Sequence, residues 1–404
     1  MKVSSRLPKS GRGRVGFILR PDLWLGGRNY LRNVLTGLAL VPDPQIEPIL
    51  FTGERSGAVP AGWPPMPVVG APMLVPRTLP WALSRIADKV LDGDRPLQRF
   101  LSTHGIDVLS HGPPLTSNGS IPAIGWIPDF QHVHMPEFFS AQDRRARDRM
   151  FMRTCTRSAK VIVSSECALE DLRAFAPQFS SKAEVLRFVA SPSDAAAAPP
   201  LPELQRRYGF EGSYFLLPNQ FWIHKNHRVV ISALMQLKRR NRPVTVLATG
   251  ATEDSRQPGY FSSLMAYAEE SGVLDLFRVL GVVPFGDLTG LMLNAVAMIN
   301  PSKFEGWSTS VEEAKSLGKR ILLSDIPVHR EQAPEGGGYF HPDDAEGLAD
   351  CLWTSRVEFD PAVDLANQTR ARLLVPARQL EFGLRYQRIV MSAVKPFPSG
   401  LSPH

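Results

Sequence analysis

Two glutamates eight positions apart, Glu305 and Glu313, flank the stretch Gly306-Trp307-Ser308-Thr309-Ser310, and a third, Glu312, stands beside the second. Carboxylates so placed accept hydrogen bonds from a ligand rich in hydroxyls. The flanking residues tell the three apart. VAMINPS, 296–302, reads as a strand running into a turn. Thr309-x-x-Glu312 or Ser310-x-x-Glu313 then reads as a capping box that opens a helix ended by Gly318. On a wheel of about 100° per residue, Val311, Ala314 and Leu317 form the buried face, Glu313 borders it, and Glu312 points away with Lys315 and Ser316. Glu313 is therefore the candidate ligand residue, and Glu312 is accounted for by capping and solvent. Glu305 lies in the preceding loop beside the amides of Gly306 to Ser308, where a carboxylate needs a polar partner such as sugar hydroxyls.

A candidate cation is Lys225, in Asn219-Gln-Phe-Trp-Ile-His224-Lys225-Asn226-His227, between the strand YFLLP and a helix with Val230, Ala233, Leu234 and Leu237 on one face. Asn226 is a plausible N-cap. Lys225 then stands at the positive end of that helix, where a phosphate is doubly favoured, although a surface lysine fits the same position. Gly26-Gly27 follows the strand VGFIL and precedes the periodic run Tyr30, Leu31, Val34, Leu35, Leu38. Glycines there admit a ligand close to backbone amides or simply make a tight turn. In Gly125-Trp-Ile-Pro-Asp129-Phe-Gln-His132-Val-His134-Met-Pro, the pair Asp129 and His132 offers an acceptor and a donor at a strand's C-terminal end, where open α/β sheets bind ligands. His132 bonded to backbone groups is the structural alternative.

Two apparent motifs carry less. Gly11-x-Gly13-x-x-Gly16 has the spacing of a dinucleotide fingerprint but precedes the first strand instead of following it. Asp92-Gly93-Asp94 resembles a divalent-metal motif, yet Leu83, Ile86, Ala87 and Val90 before it have helical spacing, so a helix end and an Asp-Gly turn explain it. No metal site is expected.

The elements that must position these residues follow from the apolar runs. VGFIL (15–19), PILF (48–51), DVLS (107–110), AIGWI (123–127) and VIVS (161–164) alternate with helix-like stretches. YFLLP (214–218), VTVLAT (244–249), FRVLG (277–281), VAMIN (296–300) and RILLS (320–324) repeat the pattern. Short buried strands between helices predict an α/β protein of two parallel-sheet, Rossmann-like halves. The Pro- and Ala-rich stretch 190–203 reads as the linker. The expected domains are 1–195 and 204–375, with a C-terminal helix over 376–394 packing back on the first.

With 404 residues, 43% hydrophobic and 21% charged, the chain is long enough for two cores. No apolar run approaches the ~18 residues of a membrane span. The basic N-terminus leads into a run too short for a signal peptide, and Cys155, Cys167 and Cys351 lack metal-ligand spacing. Both features predict a cytoplasmic chain with inert buried thiols. Much of the net charge of +7 comes from Arg144, Arg145, Arg147, Arg149, Arg153, Arg157 and Lys160. That cluster is either a solvated helix face or a surface that meets phospholipid or an anionic acceptor. Without interleaved aromatics it is not a nucleic-acid surface.

Glu305-x7-Glu313 within NPSKFEGWSTSVEEAKSLGKRILLSDIPVHRE resembles the signature of glycosyltransferase family 4: a strand ending in Pro-Ser, the Glu-Gly loop, the second glutamate on a helix, and a strand leading to Ser-Asp-Ile-Pro. The resemblance implies a glycosyltransferase B fold, two Rossmann-like domains facing a cleft, with a nucleotide-diphosphate sugar held by the C-terminal half. It further implies that Glu313 binds the ribose hydroxyls, that Glu305 with the Gly306, Trp307 and Ser308 backbone contacts the donor sugar, that Lys225 neutralises the diphosphate, and that Val282 contacts the base through backbone. Gly26-Gly27 resembles the family's glycine loop near the diphosphate, and PDFQHVHMPEFF a segment near the reacting centre.

Two departures stand out. Gln220 occupies the place of a common family arginine, which leaves Arg28 or another cation to assist Lys225. Pro128-Asp129 replaces the usual His-acid pair, so that Asp129 and His132 become the catalytic candidates with Glu305. The implied reaction is retaining transfer of a sugar to an acceptor hydroxyl, without metal or other cofactor, in polysaccharide or glycolipid assembly. A saccharide or lipid-linked saccharide would be the acceptor, with peripheral contact at the inner face of the membrane. A nucleotide-sugar 2-epimerase and a non-catalytic sugar-nucleotide-binding protein are the alternatives on the same architecture.

Overall fold

A computed structural model describes residues 11–20, 25–53, 58–90, 94–112, 121–190, 197–254 and 256–394. Thirteen strands and fourteen α-helices are present among them. The strands are β1 Gly13–Leu19, β2 Ile46–Thr52, β3 Val68–Gly70, β4 Val108–Ser110, β5 Ala123–Ile127, β6 Lys160–Val163, β7 Ala183–Val185, β8 Tyr214–Pro218, β9 Thr245–Thr249, β10 Phe277–Gly281, β11 Met298–Asn300, β12 Ile321–Ser324 and β13 Gly338–Phe340. The helices are α1 Leu25–Ala39, α2 Leu79–Val90, α3 Arg95–Thr103, α4 Gln131–His134, α5 Ala141–Arg157, α6 Glu166–Phe175, α7 Leu201–Tyr208, α8 His227–Arg239, α9 Tyr260–Glu270, α10 Phe285–Asn294, α11 Thr309–Leu317, α12 Pro327–Gln332, α13 Ala345–Val357 and α14 Pro361–Ala393.

The strands form two parallel sheets, ordered β3-β2-β1-β4-β5-β6-β7 and β10-β9-β8-β11-β12-β13. Each is the doubly wound arrangement, with the order reversing at β1/β4 in one sheet and at β8/β11 in the other. Alternation along a strand sends successive residues to opposite faces. Phe215 and Leu217 of β8 join Val230, Leu234 and Leu352 in one core, while Tyr214 and Leu216 join Leu291, Val311 and Leu317 in the other. Every buried strand therefore reads as an apolar run and not as an alternating one, as expected for a sheet covered on both faces.

The chain divides into two compact units. One comprises Met1–Phe130, Ala141–Phe188 and Ala377–His404; the other comprises Gln131–Ser140 and Val189–Pro376. The stretch Gln131–Ser140 thus groups with the second unit although its sequence neighbours group with the first. The C-terminal helix begins earlier than its periodicity suggests, at Pro361, and carries Pro376 inside it. Its last part is fixed within the first unit: Tyr386 donates to Ser110 Oγ at 2.7 Å, and Gln387 Oε1 accepts from the Gln45 amide at 2.9 Å. At Gly383 the helix touches α1 so closely that a Cβ would stand 2.1 Å from the Gly37 carbonyl oxygen.

Of the two apparent motifs, Gly13 and Gly16 lie inside β1. Asp94 caps α3, accepting from the Leu97 amide, whereas Asp92 and Gly93 fall outside the described residues. Of the cysteines, Cys155 is buried and its thiol is pushed up to about 11 by desolvation; Cys167 and Cys351 are only half-buried, contrary to the expectation for all three. No helix among the described residues is long and apolar enough to cross a membrane.

Candidate active site

In the second unit the C-terminal ends of β8 and β11 lie side by side at the point where strand order reverses. A tight turn over Ile223–Lys225 follows β8 and leads into α8. The loop over 301–308 follows β11 and leads into α11. Lys303 donates its amide to the His224 carbonyl at 2.8 Å, joining the two loops through their backbones. Asn226 does sit at the start of α8, in a left-handed conformation with φ 57°, but its side chain does not cap the helix. Its Nδ2 donates instead to the Pro301 carbonyl at 3.1 Å and the Pro342 carbonyl at 2.8 Å.

This geometry brings Lys225 and Glu305 together. The ammonium donates to Glu305 Oε1 at 2.6 Å, with both side chains almost wholly withdrawn from solvent. Ser302 Oγ donates to the same oxygen at 2.7 Å and Asn300 Nδ2 lies 3.4 Å from it. Burial alone would raise the Glu305 carboxyl. The nearby charge of Lys225, the field of His329 and the Lys225 hydrogen bond outweigh it and hold the group down to about 2. His224 and His227 are each pushed down to about 3, chiefly by desolvation, with Lys225 adding repulsion, and His329 is lowered for the same first reason. Lys225 therefore stands near the neutral imidazoles of His224 and His227 and pairs with one ionised carboxylate.

Asn300, the last residue of β11, is fully buried and ties the loop together. Its Oδ1 accepts from the Ser302 amide at 3.2 Å and from Asn219 Nδ2 at 3.3 Å and lies 2.6 Å from Ser302 Oγ, while its Nδ2 donates to Ser308 Oγ at 2.7 Å and Ser310 Oγ at 3.1 Å. Gln332, at the end of α12, makes a reciprocal pair with Ser308: its Oε1 accepts the Ser308 amide at 3.1 Å and its Nε2 donates to the Ser308 carbonyl at 3.0 Å. Ser308 is the N-cap of α11, and neither expected capping box forms. Gly318 does end the helix, with φ 69°.

Glu312 departs most from expectation. Far from being solvated, it is 1% exposed against 8% for Glu313. It accepts from Gln332 Nε2 and Lys315 Nζ, both at 3.2 Å. The wheel assumed one buried face, whereas α11 is covered nearly all round: Ser310, Glu312 and Ser316 are buried along with Val311, Ala314 and Leu317. Ser316 donates to the Ala190 carbonyl at 2.8 Å on the side assigned to solvent.

The other candidate residues distribute as follows. Gly306 is half-buried and Trp307 buried, in the same loop as Glu305, and the Ser308 amide is taken by Gln332. Val282 follows β10 and is exposed. Gln220 Oε1 accepts the Ala251 amide at 2.8 Å. A second cation in this unit is Arg256, which sits 5.0 Å above the Trp222 ring and is paired with Asp254 at 3.0 Å. In the first unit Gly26 and Gly27 form the first turn of α1, the former exposed and the latter buried, with Arg28 exposed beside them. Asp129 is half-buried in the loop after β5 and belongs to the first unit; His132 is buried on α4 and belongs to the second. Asn300, Gln332 and His329 were missed from sequence. An amide ending a buried apolar strand marks Asn300, but nothing local marks Gln332, whose partner is 24 residues away.

Two doubly wound parallel sheets, one with a buried polar network at its switch point, define a protein of the glycosyltransferase B fold class. Residues 207–352 match the family described as Glycosyl transferases group 1. The O-antigen chain mannosyltransferase RfbU of Salmonella typhimurium is 28% identical over 147 residues, which span 36% of this chain and 38% of that relative. Among solved structures, a glycosyltransferase from Rickettsia africae superposes with a TM-score of 0.66 at 16% identity, covering 94% of this chain and 99% of the other. HepE of Anabaena, solved in complex with UDP-glucose, gives 0.63 at 16% identity over 94% and 99%.

Proposed function

We propose that the protein is a glycosyltransferase that moves a sugar from a nucleotide-diphosphate donor to an acceptor hydroxyl. The observation that carries this reading is the Lys225–Glu305 pair, set in a buried polar network at the β8/β11 switch point of the group 1 domain. A fixed ammonium at the start of a helix favours a diphosphate, and a carboxylate held ionised accepts from hydroxyls and donates to none. In this reading Lys225 stabilises the departing nucleotide, Glu305 and the Gly306–Trp307 backbone hold the donor sugar, and Glu313 takes the ribose. Val282 faces the base, and Asp129 or His132 positions the acceptor. The stereochemistry is retention, as in family 4, and the charge balance does not call on a divalent ion.

The kinship with an O-antigen mannosyltransferase favours polysaccharide or lipid-linked saccharide assembly, carried out peripherally at the inner membrane face. A panel of nucleotide sugars read by thermal shift tests the donor site, since a ligand at 100 times its dissociation constant stabilises a fold by about 2.7 kcal/mol. Transfer or donor hydrolysis should vanish in Lys225→Ala and Glu305→Ala variants that keep their fold. A panel without any shift, or full activity in both variants, would overturn the assignment.

A further inference from the structure

Arg256 of the second unit makes more contacts than a surface arginine needs. It follows β9 in a loop that is itself pinned to the loop after β8: Gln220 Oε1 accepts the Ala251 amide at 2.8 Å, and the Ala251 carbonyl accepts the Phe221 amide at 3.0 Å. Buried Asp254 fixes the guanidinium, accepting Nε at 3.0 Å on one oxygen and Nη2 at 3.2 Å on the other. The remaining nitrogen, Nη1, donates to Gln131 Oε1 at 3.4 Å. The guanidinium carbon stands 5.0 Å from the centre of the Trp222 ring and 5.9 Å from that of Phe139, both within cation–π reach.

These partners belong to two parts of the candidate site. Trp222 opens the turn that carries Lys225, whose amide donates to its carbonyl at 2.8 Å. Gln131 and Phe139 lie near either end of Gln131–Ser140, the stretch that groups with the second unit and carries buried His132 on α4. Between them His134 lies against Phe304, with ring centres 5.3 Å apart, and Phe304 is next in sequence to Glu305. The stretch is thus gripped near both ends by Arg256 and between them by the Glu305 loop. With its charge answered by Asp254 and its fork divided between Asp254 and Gln131, Arg256 has the form of a clamp more than of a second cation for a diphosphate. Lysine in its place would keep the charge but lose the fork and the flat packing on aromatic rings.

We infer that Arg256 is a positioning residue that holds His132 in a fixed place relative to Lys225 and Glu305. Its catalytic consequence rests on the donor-site reading proposed above; the clamp itself does not. Hydrogen exchange on the full chain without ligand tests the clamp. Amides of residues 131–140 should exchange about tenfold faster or more in Arg256→Ala and in Gln131→Ala/Phe139→Ala, while residues 214–226 keep their protection and melting stays cooperative. Hydrolysis of the nucleotide sugar that gives the largest thermal shift, with water in the acceptor's place, tests the consequence. Its kcat should fall about ten- to a hundredfold in Arg256→Ala and in Arg256→Lys, with the Kd for that nucleotide sugar unchanged within about twofold. In a His132→Gln background the same substitutions should lower kcat little further.

Unchanged protection of residues 131–140 would remove the clamp, whatever reaction the protein catalyses. A Kd raised about tenfold or more in Arg256→Ala would make Arg256 a ligand of the diphosphate. Full kcat in Arg256→Lys, or losses that add to that of His132→Gln, would show that Arg256 does not act through His132. Wild-type protein that binds no nucleotide sugar would overturn the donor-site reading and the catalytic consequence with it, and the exchange result would still decide the clamp.

Discussion

Lys225 and Glu305, 80 positions apart, meet at 2.6 Å where two loops leave adjacent strands of one sheet. Their side chains are only 13 and 10% exposed. Removing one partner of such a pair costs about 3–5 kcal/mol, because the remaining charge is left buried. Lys225→Met and Glu305→Gln should each lower the urea midpoint of unfolding substantially, and the double variant should lose markedly less than the sum. Additive losses would show that the two groups do not interact in solution.

Acid should weaken the second unit in two overlapping stages. His224 and His227 have folded values depressed to about 3 from 6.5, so their neutral forms favour the fold above 6.5 and the unfolded chain takes up protons first as pH falls. Glu305, depressed to about 2 from 4.5, contributes stability that is complete above 4.5 and is lost as pH falls toward 2. Both act in the same direction. Melting temperature should decline steadily from pH 6.5 downward, and a flat profile between 6.5 and 3 would contradict the burial described for these imidazoles.

Adjacent glutamates on α11 should separate by assay. Glu312→Ala leaves Lys315 and Gln332 without their shared acceptor and should cost about 1–3 kcal/mol in unfolding experiments. Glu313→Gln should raise the dissociation constant for nucleotide far more than Glu312→Gln does. A Glu312 variant of wild-type stability, or equal effects on nucleotide binding, would reverse the roles.

Gly383 should tolerate no side chain. The 2.1 Å separation between a Cβ there and the Gly37 carbonyl oxygen can be relieved only by moving the end of α14 off α1. Gly383→Ala is expected to cost about 1–3 kcal/mol or more, seen as a lower melting temperature. Gly286→Ala, where a Cβ meets nothing within 4 Å, serves as the neutral control.

What could be read from the sequence follows the range of the forces involved. The five apolar runs of each half coincide with strands β1, β2, β4, β5, β6 and β8 to β12, because a strand buried on both faces announces itself locally. The edge strands β3, β7 and β13 were not expected: they are only partly buried and so lack an apolar run, whereas β4 and β11, equally short, are buried throughout. In the site, Lys225 and Glu305 were identifiable by residue type beside helix starts, but their contact was not, since 80 residues separate them. Glu312 was misread because a helix wheel knows one neighbour, and α11 is enclosed by several segments, among them the backbone at Ala190.

The amide of Asn226 reaches the carbonyls of Pro301 and Pro342, so that loops following β8, β11 and β13 share one clasp. Its two hydrogens are donors that no carboxylate can imitate. Replacing this single side chain by aspartate would leave volume and backbone nearly as they are while turning two attractions into two repulsions. One atom's change at Asn226, oxygen for nitrogen, would thus loosen three loops at once.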